Sequence, residues 1–134
     1  MPASKFSISI IEQIIFKMDE VAIIYHNKLG IAFRWKNNLP NADPARIQMV
    51  FKDMGFYLLP EEIKRFSGNI QAAKYYNCGN CSSEKSCRNI LLRSPLEKMD
   101  FAVSAIELEQ ISDLIEGTLF KLNLENYLNG CGRN

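Results

Sequence analysis

The sequence predicts an α+β fold in which two strand–strand–helix units pack on one core, after an N-terminal segment and a β-hairpin. Three observations support it: β-branched and aromatic runs flank turn residues, two segments have helical apolar spacing, and part of the chain repeats after 45 residues. With 47% hydrophobic and 23% charged residues, the 134-residue chain fits one globular domain, residues 1–134.

The first elements are an N-terminal segment and a hairpin. Apolar residues in 7–18 follow helical and strand spacing, and we expect a short helix there. Residues 21–26 and 31–35 are rich in Val, Ile, Tyr, Phe and Trp. They flank a turn that begins with Asn27 and ends with Gly30, which predicts two antiparallel strands.

The first strand–strand–helix unit spans roughly residues 46–74. Strands are expected over 46–51 and 54–59. Pro60 and the two glutamates after it begin a helix, because proline suits the first helical position and carboxylates favour the positive end of the helix dipole. Its expected buried residues are Ile63, Phe66, Ile70 and Ala73.

The second unit spans roughly residues 88–122. Strands are expected over 90–92 and 101–103, and Ser104 and Glu107 have the spacing of a capping box that starts a helix. The expected apolar face of this helix is Leu108, Ile111, Ile115 and Leu122.

The two units repeat in sequence. Residues 54–73 and 99–118 share five of 20 positions, where about one chance identity is expected. Each unit begins after an arginine, Arg46 or Arg88, and the second has the longer turn. We interpret this as a duplication, although any two strand–helix units share some patterning. The identities are Met54/Met99, Phe56/Phe101, Glu62/Glu107, Ser67/Ser112 and Ile70/Ile115.

The four cysteines form the best candidate site. Residues 75–86 are expected to be a polar loop in which Cys78-x-x-Cys81 places two sulfurs within reach of one zinc ion, with Cys87 as third ligand. The fourth position would be filled by Cys131 or His26, or would stay open. A structural zinc site, free thiols, and redox chemistry of the Cys78/Cys81 pair are all open on this sequence.

Three stretches carry a family resemblance: Cys78-Gly-Asn-Cys81, residues 46–48 (Arg-Ile-Gln) and residues 99–104 (Met-Asp-Phe-Ala-Val-Ser). Through them the chain resembles a small bacterial domain family of unknown function that has a Cys-x-x-Cys loop and repeated strand–strand–helix units. The resemblance covers roughly residues 46–128. It implies the repeated fold, but no activity, substrate or cofactor.

Two further features suggest binding. Arg34-Trp35-Lys36 sets an aromatic ring between two cations, which fits weak stacking of a nucleobase or ligand, or else a tryptophan that caps the core.

We expect Asn123 to cap a separate final turn. The C-terminal segment is more apolar than one helical face needs, which predicts either a partner surface such as a homodimer interface or plain core packing. Its apolar residues are Leu114, Ile115, Leu119, Phe120, Leu122, Leu124, Tyr127 and Leu128.

The net charge and the motifs present in the sequence limit the kinds of function that we expect for this chain. Sixteen Lys and Arg against fifteen Asp and Glu leave a formal charge of +1, so we expect no nucleic-acid or polybasic membrane binder. No apolar run approaches the roughly 18 residues of a membrane span and no secretory leader is recognisable, so we expect a cytoplasmic protein. With one histidine and no phosphate-binding loop, the chain is expected to be a non-enzymatic binding or regulatory module. The alternatives are a thiol redox protein and a weak ligand binder through Trp35.

Overall fold

The computed structural model describes residues 21–36, 43–77 and 87–131, and it confirms the α+β class. In chain order the elements are β1 (Val21–His26), β2 (Gly30–Trp35), β3 (Ile47–Phe51), β4 (Met54–Leu58), α1 (Pro60–Asn77), β5 (Ile90–Arg93), β6 (Asp100–Val103) and α2 (Ala105–Cys131). Strands β1 to β4 form an antiparallel sheet in that order, while β5 and β6 pair separately. The helix expected over 7–18 lies outside the described residues.

Side-chain hydrogen bonds and backbone angles within the turns stabilise the first two hairpins, β1–β2 and β3–β4. Between β1 and β2, the side-chain oxygen of Asn27 accepts hydrogen bonds from the backbone N–H groups of Leu29 and Gly30, at 2.9 and 3.1 Å. Between β3 and β4, Lys52 and Asp53 have φ angles of 52° and 60°. Two successive positive φ angles are typical of the type I′ turn, whose twist matches that of the strands it joins.

The core lies between the four-stranded sheet and the two helices. Four phenylalanines from four different elements meet in it, with ring centroids 5.4–6.2 Å apart: Phe51, Phe56, Phe66 and Phe101. A second, smaller cluster contains Ile31 and Phe33, and no residue of α1 or α2 belongs to it in the described part of the chain. Alternation along β2 places these two residues on the sheet face opposite the helices.

The predicted apolar faces of both helices are confirmed. All eight side chains expected to be buried are at most 8% exposed: Ile63, Phe66, Ile70 and Ala73 in α1, and Leu108, Ile111, Ile115 and Leu122 in α2.

The strand–strand–helix order occurs twice, but the repeat is only loosely visible. The β3–β4 hairpin of the first unit belongs to the four-stranded sheet and has a two-residue turn. The β5–β6 hairpin of the second unit forms a separate two-stranded sheet and has a six-residue turn, residues 94–99. The helices also differ, with 18 and 27 residues. The closest correspondence is between Phe56 and Phe101, whose rings meet edge to face at 5.7 Å.

Both helices begin in the same way. A glutamate in the first turn accepts a hydrogen bond from the backbone N–H of the residue that precedes the helix. Glu62 does so from Leu59 at 2.8 Å, and Glu107 does so from Ser104 at 3.0 Å. The N–H of Glu107 in turn donates to the Ser104 hydroxyl at 3.0 Å, which confirms the predicted capping box.

Two predicted boundaries are wrong. Helix α1 continues through Tyr75 and Tyr76 to Asn77, into the stretch expected to be a loop. Helix α2 runs without interruption to Cys131, so Asn123 is an interior residue and caps no separate turn. A single Asn costs a helix well under about 1 kcal/mol, and the Lys, Leu and Glu residues around it are good helix formers. Neither helix in the described chain is long and apolar enough to cross a membrane.

Candidate functional site

The cysteine site falls mostly beyond what the structure describes. Cys78 and Cys81 lie outside the described residues, Cys87 is an exposed free thiol just before β5, and Cys131 is the last residue of α2. Among residues 21–36, 43–77 and 87–129, no three His, Cys, Asp or Glu side chains are grouped to hold a metal ion. The zinc, free-thiol and redox interpretations therefore all stay predictions.

The sole histidine, His26, is exposed at the end of β1. Within the described residues no hydrogen bond or ion pair joins it to a nucleophile or a carboxylate. Its placement gives no geometric support to a nucleophile–base pair, which requires the two groups at hydrogen-bond distance.

The three residues of Arg34-Trp35-Lys36 lie in different surroundings. Arg34 donates to the Glu125 carboxylate of α2 at 2.7 Å, which ties the end of β2 to the second half of that helix. Trp35 is half-buried on the opposite sheet face and packs edge to face on Phe33, with ring centroids 5.1 Å apart. Lys36 is exposed. The arrangement favours packing over a stacking platform, because one cation and much of the ring already have partners.

The apolar C-terminal segment divides into two faces. Leu114, Ile115 and Leu122 are buried in the core, and Leu119 packs against it. The other four side chains are 41–69% exposed, and we call them the α2 stripe: Phe120, Leu124, Tyr127 and Leu128. Because a helix turns about 100° per residue, their i, i+4, i+7, i+8 spacing places them in one row on the side of α2 opposite Ile115 and Leu122.

Contacts at the first half of α2 fix the direction in which the stripe points. Tyr25 of β1 donates to both Asp113 carboxylate oxygens, at 3.0 and 3.1 Å, and Asn27 donates to the backbone oxygen of Gln110 at 2.8 Å. The hydrogen bond to Asp113 raises the pKa of the Tyr25 hydroxyl, with smaller contributions from burial and the nearby negative charge. The Tyr25 ring lies directly over Gly117, where a Cβ atom would come within 2.4 Å of it.

The Glu107 carboxylate links the start of α2 to the β3–β4 turn and to Arg88, which precedes β5. Besides its cap, the carboxylate accepts hydrogen bonds from Arg88, at 3.0 Å, and from Lys52 in the β3–β4 turn, at 3.2 Å. Burial alone would raise its pKa, but the Ser104 N–H, Arg88 and Lys52 together outweigh burial and lower the pKa to about 2. The sequence predicted the cap, but it gave no sign that Lys52, 55 residues away, completes this cluster.

The close contact between Tyr25 and Gly117 was not predicted from the sequence either. A glycine inside a helical pattern was the available signal, because it often marks a close packing contact. Comparisons with known proteins add no homologue: no protein-family model, no curated protein and no solved structure matches the chain.

Proposed function

We propose that this chain is a non-enzymatic binding module that self-associates through the α2 stripe, with a second copy of the chain as its partner. The observation that carries the proposal is a continuous row of exposed apolar side chains on a helix whose opposite face is already buried. The largest exposed apolar patch on a protein often marks an interaction site.

The spacing of the row fits a two-fold pairing. Phe120, Leu124 and Leu128 are evenly spaced by four residues, so a two-fold axis through Leu124 brings Phe120 of one copy against Leu128 of the other. Rows of this i, i+4 kind interdigitate in a common class of helix packing. The same surface on both copies is what an isologous dimer requires.

Charge favours the antiparallel arrangement. Lys121 and Glu125 lie on the same flank of the stripe, and within the described chain Lys121 has no ionic partner. In an antiparallel two-fold pair, the same flank of each helix lies beside that of its partner, and the two flanks run in opposite directions. Lys121 of one copy therefore faces Glu125 of the other. Arg34 already bonds to that glutamate, and the three groups together would alternate in sign.

The area of the stripe sets the expected strength. From the exposed fractions of its four side chains, each copy offers about 450 Å² of apolar surface, or about 900 Å² for the pair. Stable complexes bury about 1,200–2,000 Å², so we expect a weak, concentration-dependent dimer.

Sedimentation equilibrium from about 10 µM to about 1 mM tests the proposal, since it covers the affinities of weak complexes. The average mass should rise from 15.3 kDa towards twice that value, and Leu124→Glu should hold it at the monomer value. Leu91→Glu is the matched control, because Leu91 is 70% exposed on β5, away from the stripe.

Three results would contradict the proposal. The parent protein could stay monomeric throughout, Leu124→Glu could still dimerise, or Leu91→Glu could abolish association as fully as Leu124→Glu does.

A further inference from the structure

A cleft of about 960 Å³ opens between α1 and the six-residue turn that joins β5 to β6. One wall is the first half of α1, and the other is the turn with the strand ends beside it. This volume is at the upper end of the range for small-molecule sites. Most of the residues that line the cleft are polar or charged.

Three cations from three different elements line this cleft. Arg65 comes from α1, Arg93 from β5 and Lys98 from the turn. Within the described residues none of the three has a carboxylate oxygen within 4 Å. The Glu62 carboxylate at the cleft is already held by Arg46, at 3.3 Å, and by its own helix cap.

The corresponding junction in the other half of the molecule is closed. There the two-residue β3–β4 turn brings Lys52 to 3.2 Å from the Glu107 carboxylate at the start of α2, and Arg88 completes the cluster. The longer β5–β6 turn likewise lies beside the start of α1. Within the described residues, however, Lys98 of this turn forms no ion pair with a carboxylate, unlike Lys52 in the β3–β4 turn. The contrast shows that packing a hairpin turn against a helix does not require an open junction with unpaired cations.

Both walls of the cleft are held in place. The Ser94 hydroxyl is buried and bonds to the backbone of Leu96, accepting from its N–H at 3.0 Å and donating to its oxygen at 2.9 Å. The side-chain amide of Asn69 in α1 donates to the backbone oxygen of Arg93 at 3.3 Å. These bonds order the backbone on both sides of the cleft, while the side chains of Arg65, Arg93 and Lys98 are exposed to solvent.

We propose that this cleft binds a small organic anion that carries two or more carboxylate or phosphate groups. Such a ligand would give the three cations the close anionic partners that they lack, and guanidinium groups bind both anion types with paired hydrogen bonds. Glu62, Glu97 and Asp100 also line the cleft, so its formal charge is balanced. Their carboxylates would accept hydrogen bonds from hydroxyl or amino groups of the ligand, which favours a polar, functionalised anion over a simple one.

Titration with citrate and with pyrophosphate, followed by isothermal calorimetry and by amide chemical shifts, tests the proposal and separates the two anion types. At least one probe should bind at a single site, shift amides of the turn and of α1, and bind more weakly as salt rises. Arg65→Gln and Arg93→Gln should each weaken binding about tenfold, as expected for a lost charge-assisted hydrogen bond.

The matched control is Lys64→Gln, which removes a cation from the neighbouring exposed position of α1 that does not line the cleft. It should leave binding within about twofold of the parent, as expected for a screened surface charge. The proposal is overturned if neither probe binds saturably at about 10 mM, well above the range of a specific site. It is also overturned if Lys64→Gln weakens binding as much as Arg65→Gln. The Leu124→Glu variant should bind the probes normally, so this test does not depend on self-association.

Discussion

Gly117→Ala should destabilise the protein, although alanine is the better helix former. In an exposed helix interior this change stabilises by about 1 kcal/mol. At Gly117, however, the new Cβ would lie 2.4 Å from two atoms of the Tyr25 ring, a distance that real Cβ contacts do not reach. The ring must move by about 1 Å, and its hydrogen bonds to Asp113 would be lost or weakened.

The expected magnitude follows from these opposing effects. Overpacking costs about 1–3 kcal/mol, and the loss of a hydrogen bond to a charged group costs about 1.5 kcal/mol. Against the gain of about 1 kcal/mol in helix propensity, we expect the free energy of unfolding to fall by about 1.5–3.5 kcal/mol. Urea denaturation followed by circular dichroism would measure it.

Two comparisons isolate the cause. Gly68→Ala in α1 is the matched control, because its Cβ would meet nothing within 4 Å, and it should raise the free energy of unfolding by about 0.5–1 kcal/mol. In a Tyr25→Ala background, Gly117→Ala should become stabilising by about 1 kcal/mol, which gives a coupling energy of about 2.5–4.5 kcal/mol. If Gly117→Ala stabilises the parent protein as Gly68→Ala does, the inferred contact between Tyr25 and α2 is wrong.

Two further predictions concern stability. Glu107→Gln should lower the free energy of unfolding at pH 7 by about 3 kcal/mol, because the pKa falls from 4.5 to about 2 on folding and the carboxylate is only 16% exposed. This stabilisation is complete above about pH 4.5 and is lost as pH falls through 2, so the parent and variant stabilities should converge in that window. Parallel loss of stability in both proteins would contradict the assignment. Trp35→Ala should cost about 2 kcal/mol in urea denaturation, because its half-buried ring packs on Phe33. Unchanged stability with lost ligand binding would instead support the stacking role.

Local signals in the sequence predicted most of the fold. The two-residue turn at 52–53, the Pro60 helix start and the Ser104–Glu107 capping box are each decided by a few neighbouring residues, and each prediction is confirmed. The boundary errors, at Tyr75 and at Asn123, concern helix ends. There the propensities of single polar residues are weak, and neighbouring helix formers outweigh them.

The candidate sites were harder to predict because they depend on contacts between distant residues. Sequence spacing showed that α2 carries surplus apolar residues, but only packing shows that Leu114 is buried while Leu124 is exposed. The cleft was missed for the same reason, since Arg65 and Arg93 are 28 positions apart and neither belongs to a motif. The Cys-x-x-Cys pair was the clearest local motif, and its geometry lies outside the described residues.

Two of the five identical pairs in the repeat windows occupy positions with more than one structural constraint. Phe56 and Phe101 are both buried and contact each other, so each must be large, apolar and correctly placed on its strand. Glu62 and Glu107 each satisfy a helix N-terminus and an arginine at once, and no other residue type does both as well. The turns of the two units differ in length and in contacts. The β3–β4 turn holds Lys52 in an ion pair with Glu107, whereas the longer β5–β6 turn lines an open cleft in which Lys98 has no ion pair.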